Sequence, residues 1–408
     1  MDADVAVIGA GALGLSTALH CALAGRSVVV VERHTAGSQA SGRAAGLFKS
    51  VQADELRTVL ARRSIARAVS FGDWAGVPLE VTRCGSFLVA RTAQHRGYLL
   101  AEAAASRGWG AEVREVPATE LDRRVSYYRG SGSEHVVWCP EDIYVEEPAS
   151  LIEAYLAACR LHGVTVRESE QVVAITSAGG RVAGVETTAQ SIVTSVAVDA
   201  AGAWARQVAE LAGSRLAVAP VRHQLLVTEP AGEVDPDDPI TRVVDAAVYL
   251  RPARGGLMIG GFEADPLPVD PRAEQPAFST DDVPLDLGAL RRLASQVSAE
   301  APLASDAKVA EHRGGLFTMS PDGLFVVGPV PDVPGLWVAS GCNGSGFSSS
   351  LAIGEALAAS ITGAGPPEGM TAPAGMAALA PGRFGALADA ALVARGVWQY
   401  AHYYDPAR

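Results

Sequence analysis

Three features of the 408-residue chain predict an α/β fold assembled from discontinuous segments. An apolar strand, a glycine turn, a helix and a second strand open the chain. Helical and strand-like stretches alternate through the middle. A second strand–glycine–helix unit returns near the end.

In the opening unit, Val5–Ile8 is short and wholly apolar, as suits a parallel strand buried on both faces. A glycine turn leads into a helical stretch from Leu13 to Ala24, which Gly25 ends. Ser27–Glu32 (SVVVVE) reads as a second buried strand. By hydropathy alone, Val5 to Ala24 resembles a signal or membrane segment. Its acidic start, three patterned glycines and interior His20 favour a βαβ unit, with no membrane as partner. Farther on, Leu99–Arg107 and Ser150–His162 look helical. Val164–Arg167, Val172–Ile175, Arg181–Thr187 and Ser195–Ala200 look like strands. Residues 220–262 read as strands with a Pro/Asp-rich break at 230–239, and Leu285–Ala299 as a helix. Gly335–Ser340 and Ser348–Ile361 flank the second glycine turn.

Composition narrows the function classes. Hydrophobic residues make up 49% of the chain, enough for a large core. A net charge of −12 argues against nucleic acid as partner, because phosphate binding needs a basic surface. A small anionic substrate needs only one local cation. The five cysteines, Cys21, Cys84, Cys139, Cys159 and Cys342, form no C-x-x-C pair. Neither a disulfide framework nor a metal site is expected, and a reducing cytoplasm is the expected location. A Pro/Ala/Gly stretch at 363–382 is the one segment whose composition suggests disorder.

Gly9-x-Gly11-x-x-Gly14 follows a strand and opens a helix. The first glycine allows the tight turn, the second admits a pyrophosphate, and the third lets helix and strand pack closely. Ala10, Ala12 and Leu13 complete the turn, and the helix amino terminus favours phosphate. Glu32, followed by Arg33, ends the next strand, where an acid accepts hydrogen bonds from ribose hydroxyls. An acid there argues against a 2′-phosphate, hence against NADP. The second turn, Gly341 to Ser348, includes Gly344, Gly346, Phe347 and Ser348. No acid-tipped strand follows it. It suits a helix amino terminus facing the negative edge of a reduced flavin, or a tight connection in the core.

Together these residues resemble the D-amino-acid-oxidase-like flavoenzymes, the family of glycine oxidase, sarcosine oxidases and dimethylglycine dehydrogenase. Ala40 to Gly46 (ASGRAAG) resembles the family's segment along the flavin, giving Ser41, Gly42, Arg43, Ala44, Ala45 and Gly46 as cofactor contacts. SVAVDAAGAW at 195–204 resembles the turn meeting the cofactor, giving Ala201, Gly202 and Trp204; Val172 joins them. PVRHQLLVTE at 220–229 and VYLRPARGGLMIGG at 248–261 resemble substrate-domain strands. TMSPDG at 318–323 and the turn at 341 resemble the carboxy-terminal flavin segment. The resemblance implies a Rossmann-type FAD domain (1–80, 150–215 and 315–375) and a mostly antiparallel sheet as substrate domain (81–149 and 216–314). Residues 376–408 are left as a tail.

The resemblance also implies a reaction: oxidation of a C–N bond in an amino acid or secondary amine, by hydride transfer to flavin N5 and imine hydrolysis. The preferred substrate is an N-substituted glycine, sarcosine-like or N-carboxymethyl, releasing glyoxylate if cleaved on the glycine side. Four departures matter, one being that the substrate-binding lysine of monomeric sarcosine oxidase, after the Gly-Phe pair, becomes Ser348. The family's carboxylate-clamping arginine aligns with Phe317. The cysteine that carries covalent flavin in monomeric sarcosine oxidase aligns with Gly315, so FAD is expected to be non-covalent. That enzyme's oxygen-activating lysine aligns with Met258, which leaves open O2 or another electron acceptor. A substrate carboxylate then needs another cation, from Arg251, Arg43, Lys49, Arg254 or Arg313, with Tyr249 adding a hydroxyl. His223 is a candidate to accept a proton or orient the amine. Phe317, Phe347 and Trp204 are candidate pocket walls. The rival readings are an NAD-dependent dehydrogenase and a non-catalytic FAD-binding subunit that docks through the aromatic tail, Trp398, Tyr400, Tyr403 and Tyr404.

Overall fold

A computed structural model describes residues 2–365 and 376–405. Residues 366–375 of the Pro/Ala/Gly stretch, and 406–408 of the tail, lie outside the described residues. The chain forms a mixed α/β fold around two large sheets. The first has six strands in the order Val326–Pro329, Leu336–Ser340, Ala197–Asp199, Val5–Ile8, Val28–Val31 and Thr165–Arg167. All neighbours are parallel except the first pair. Its strands come from both ends of the chain and its middle, as the discontinuous opening and closing units predict.

Strand pleating explains the run of valines at 28–31. Alternate side chains point to opposite faces. Val28 and Val30 pack with Leu15, Leu151 and Leu351 from the helices Ala12–Leu23, Pro148–Leu161 and Ser350–Thr362. Val29 and Val31 pack on the other face, with Val208 and the antiparallel meander Val172–Ala178, Arg181–Thr187 and Ser191–Val193. Gly14 sets how closely the first helix approaches: a Cβ there would lie 2.0 Å from the Gly9 carbonyl oxygen.

The second sheet has eight strands: Val309–Met319, Ala219–Thr228, Gly256–Gly261, Val248–Ala253, Ile240–Val243, Ser86–Ala90, His135–Cys139 and Arg114–Val116. Its pairs are antiparallel, except that Ile240–Val243 runs parallel to Ser86–Ala90. The strand Val309–Met319 belongs wholly to this sheet, and so runs through residue 315, where the sequence reading set a boundary. One face packs on the helix Leu287–Ser295 and the other takes up the tail.

That tail forms the helix Asp389–Ala401, and Tyr400 and Tyr404 are buried against Val221 and Met319. The tail, read from the sequence as a docking surface under the rival reading, instead packs these two aromatic residues on its own fold. Of Trp398, Tyr400, Tyr403 and Tyr404, Trp398 alone is exposed. No helix among the described residues is long and apolar enough to cross a membrane.

Asp199 ends the central strand Ala197–Asp199 fully buried. Its Oδ1 accepts the Ala201 N–H at 3.1 Å, and its Oδ2 has no partner among the described residues. Burial pushes its pKa up to about 8. The folded chain therefore holds this proton at pH values where the unfolded chain has released it. Stability should fall between about pH 4 and pH 8, by about 1.4 kcal/mol per pH unit from this group. Asp199→Asn should remove that slope from the urea-unfolding free energy. Equal slopes in the two proteins would show that Asp199 is ionised in the fold.

Candidate active site

One cavity of about 670 Å³ lies between the two sheets. At the parallel sheet it is lined by Gly9, Gly11, Ala12, Leu13, Glu32 and Arg33. Ser41, Arg43, Ala44, Ala45 and Gly46 continue the wall, as do Val172, Ala201, Gly202 and Trp204. Gly315, Gly344, Gly346, Phe347 and Ser348 line the same space. The two glycine turns thus open into one cavity, although more than three hundred residues separate them.

Three of the expected contacts stand elsewhere. Ala10 is fully buried, and its N–H donates to Glu32 Oε2 at 2.8 Å. Gly14 faces the Gly9 carbonyl, and a Cβ on Gly42 would lie 2.6 Å from the Gly37 carbonyl oxygen. None of these three lines the cavity; each shapes the backbone that does.

The parallel-sheet end fits a dinucleotide. The helix Ala12–Leu23 has no acid in its first turn, so its amino terminus keeps its positive potential. A Cβ on Gly11 would meet only Ser41 Oγ, at 3.2 Å, so larger side chains there would enter the cavity rather than the core. Glu32 is held by the N–H groups of Ala10 and His34, both at 2.8 Å, with lone pairs left for hydroxyl donors. The second helix, Ser350–Thr362, also lacks an acid in its first turn, and its approach through Ser345–Ser348 lines the cavity.

Side chains from the large sheet form the other end. His223 lies on Ala219–Thr228, stacked on Phe317 with centroids 4.2 Å apart. One ring nitrogen is 2.7 Å from the Tyr400 hydroxyl and the other 3.0 Å from the Tyr249 hydroxyl. Tyr249 reaches this position across Gly260, where a Cβ would sit 2.1 Å from its oxygen. Burial pushes the His223 pKa down to about 3, so the imidazole is neutral at ordinary pH. Lys49, Arg242, Phe262, Tyr403 and Tyr404 complete this end. Phe262 stacks on Tyr403 at 4.0 Å.

The arginines divide. Arg251, expected to hold a substrate carboxylate, does not line the cavity. It is fully buried and donates to Ala45 O, Pro252 O, Glu146 O and Glu146 Oε2, with Tyr144 beneath its guanidinium. Arg251 joins the flavin-segment loop to the sheet and has little left for a ligand. Arg254 is half exposed, pairs with Glu147 and Glu311, and also lies outside the cavity. Arg43 and Arg313 do line it. Arg43 donates to Ser38 O and pairs with exposed Asp281; Arg313 donates to Ala44 O and Glu311. Met258 is buried beside Leu225, Val227 and Ala253, away from the cavity.

Sequence reasoning missed Arg242, Asn343, Phe262, Tyr403 and Tyr404 as site residues. Asn343 ties the second glycine turn to the segment after Met319: its Oδ1 accepts Ser320 N–H at 2.9 Å and its Nδ2 donates to Gly341 O at 2.6 Å. Asn343 adopts φ +46, a left-handed conformation that asparagine tolerates, and that small polar residue within a glycine run was the available signal.

Comparison with known proteins agrees with this geometry. The profile of the family described as FAD dependent oxidoreductase matches residues 4–360, and the chain belongs to that family. The 4-methylaminobutanoate oxidase (formaldehyde-forming) of Paenarthrobacter nicotinovorans is 27% identical over 86% of this chain. This chain spans only 43% of that relative's length. Glycine oxidase of Pseudomonas aeruginosa is 28% identical, covering 90% of this chain and 96% of its own. Among solved structures, L-proline dehydrogenase from P. horikoshii shares the fold with a TM-score of 0.83 at 21% identity, covering 94% of this chain and 98% of its own.

Gly11→Leu should leave the fold intact by circular dichroism and cut FAD affinity roughly a hundredfold, about 2.7 kcal/mol, by equilibrium dialysis. Unchanged affinity would remove the first glycine turn from the cofactor site.

Proposed function

We propose that the protein oxidises the C–N bond of an amine-bearing carboxylic acid, preferentially an N-substituted glycine or a related secondary amino acid, with FAD bound non-covalently. The observation that carries this reading is the shared cavity: both glycine turns and the His223–Tyr249 pair line one space. The names of the relatives point the same way, since 4-methylaminobutanoate and glycine both pair an amine with a carboxylate. Gly315, in place of a cysteine, supports a non-covalent cofactor.

FAD held there would supply a hydride acceptor for the carbon beside the amine. The chain's own residues bind, orient and keep the amine neutral. The walls formed by Phe317, Phe347 and Phe262 disfavour an ammonium ion, because a charge loses solvation there. Loss of hydride from carbon and of a proton from nitrogen leaves an imine. Water then converts it to a carbonyl compound and a shorter amine. His223 acts as a positioning residue, because both ring nitrogens are already engaged by tyrosines. It fixes the Tyr249 hydroxyl at the cavity wall, where it can orient the substrate.

The test is product analysis after turnover with air or with an artificial electron-accepting dye, over a panel of N-alkyl amino acids. A carbonyl product with matching amine is expected. Turnover in air assigns an oxidase, and turnover with dye alone a dehydrogenase. Turnover with NAD alone, or no C–N cleavage with any acceptor, would contradict the proposal.

His223→Gln should lower kcat/KM roughly tenfold through lost positioning. The rise of kcat/KM with pH over about pH 6 to 9 should persist in the variant, because it reports substrate ammonium losing its proton while His223 is already neutral. A limb that vanishes in the variant would make His223 the titrating base.

A further inference from the structure

The cavity end under the large sheet holds two cations whose donors are not used up. Arg242, on Ile240–Val243, is 3% exposed, and its side chain makes one hydrogen bond among the described residues, from Nη1 to Asp142 Oδ2 at 3.0 Å. Its Nε and Nη2 have no protein acceptor among the described residues, and the residue lines the cavity. Asp142 does not depend on Arg242 alone: it also accepts Ser50 N–H at 2.7 Å, Ser50 Oγ–H at 2.6 Å and Ser86 Oγ–H at 2.5 Å. Lys49 lines the same wall. Its ammonium is 3.8 Å from Glu102, beyond hydrogen-bond distance, and 5.4 Å from the centre of the Tyr404 ring.

Buried cations with vacant donors are costly unless something accepts from them. Burial works against the Lys49 charge, yet Glu102, with Tyr404 and Tyr403, holds its pKa above the ordinary lysine value. Burial likewise opposes the Arg242 charge, yet Asp142, with Tyr404 and Cys139, holds its pKa above the ordinary arginine value. Both side chains therefore stay cationic. Of the other arginines lining the cavity, Arg33 donates to Phe278 O, Arg43 to Ser38 O and Asp281, and Arg272 to Asp270, Glu210 and Asp389, while Arg313 donates to Ala44 O and Glu311 and keeps only its buried Nε unpaired among the described residues. Tyr403 and Tyr404 bound this end from the carboxy-terminal segment, past residue 360, where the family match stops.

We infer that Lys49 and Arg242, enclosed by Tyr403 and Tyr404, form the subsite for the substrate's carboxylate, and that the carboxy-terminal segment is a specificity element of this chain. The assignment takes its substrate class from the proposed amine oxidation. A guanidinium with two free donors and a nearby ammonium suit a carboxylate's two oxygens. The aromatic enclosure excludes water and strengthens that contact. The reacting amine then lies between this anchor and the Gly341–Ser348 turn, along the wall carrying Phe317 and Tyr249.

The test uses FAD-loaded full-length protein and redox-inert probes: straight-chain alkanoates and their primary amides. Binding is read from the perturbed visible spectrum. The unaltered protein should prefer an alkanoate to its amide. Lys49→Met should weaken alkanoate binding roughly thirtyfold with amide binding little changed. Arg242→Lys, which keeps a cation beside Asp142, should weaken it roughly tenfold. Retention of the flavin spectrum shows that each variant is folded. Unchanged alkanoate affinity in either variant, or equal weakening of acid and amide, overturns the assignment. A protein that oxidises no amine yet shows this preference overturns the proposed reaction and leaves the subsite standing.

Discussion

The two large sheets meet at a short seam, and the shape of the cavity depends on it. Cys342 N–H donates to Thr318 Oγ1 at 2.9 Å, Asn343 N–H donates to Thr318 O at 3.0 Å, and Asn343 Oδ1 accepts Ser320 N–H. These bonds join the turn after Leu336–Ser340, in the parallel sheet, to the end of Val309–Met319, in the antiparallel one. The seam fixes Phe317 opposite the second glycine turn: a Cβ on Gly344 would lie 3.1 Å from the Phe317 ring. A dinucleotide site and an aromatic chamber thereby become two ends of one cavity.

From that seam, rigidity spreads through side chains that are buried and fully bonded. Phe317 stacks on His223, whose nitrogens meet Tyr249 and Tyr400, and Tyr400 belongs to the carboxy-terminal helix. A neutral, hydrogen-bonded imidazole pays no charge-burial penalty there. Arg251 performs the matching task on the other side, tying Ala45 of the flavin segment to the antiparallel sheet. Two under-bonded cations, Lys49 and Arg242, stand where a ligand can reach them.

The parts legible in the sequence were those governed by local chain physics. Gly9, Gly11, Gly14 and Glu32 occupy fixed places in one continuous βαβ unit, so spacing alone located them. The run of valines at 28–31 declared a strand buried on both faces. Arg251 was misjudged because its sequence neighbours do not reveal that Glu146 and Ala45 would take its donors. Lys49 was named as one of five candidate cations without anything to single it out, and Arg242 was not named at all. They meet only because Ile240–Val243 pairs with Ser86–Ala90 and the tail folds back over both, contacts set by tertiary packing. The tail's tyrosines carried an aromatic signal, but composition cannot say which surface an aromatic helix covers.

The most direct test of the central claim, that one cavity brings an amine to a bound flavin, is the visible spectrum of the purified protein during anaerobic addition of candidate amino acids. The account predicts a flavin spectrum that bleaches with an N-substituted glycine or related secondary amino acid and persists with the corresponding alkanoate. A yellow protein that no amine bleaches, or a colourless one that cannot be loaded with FAD, would contradict it.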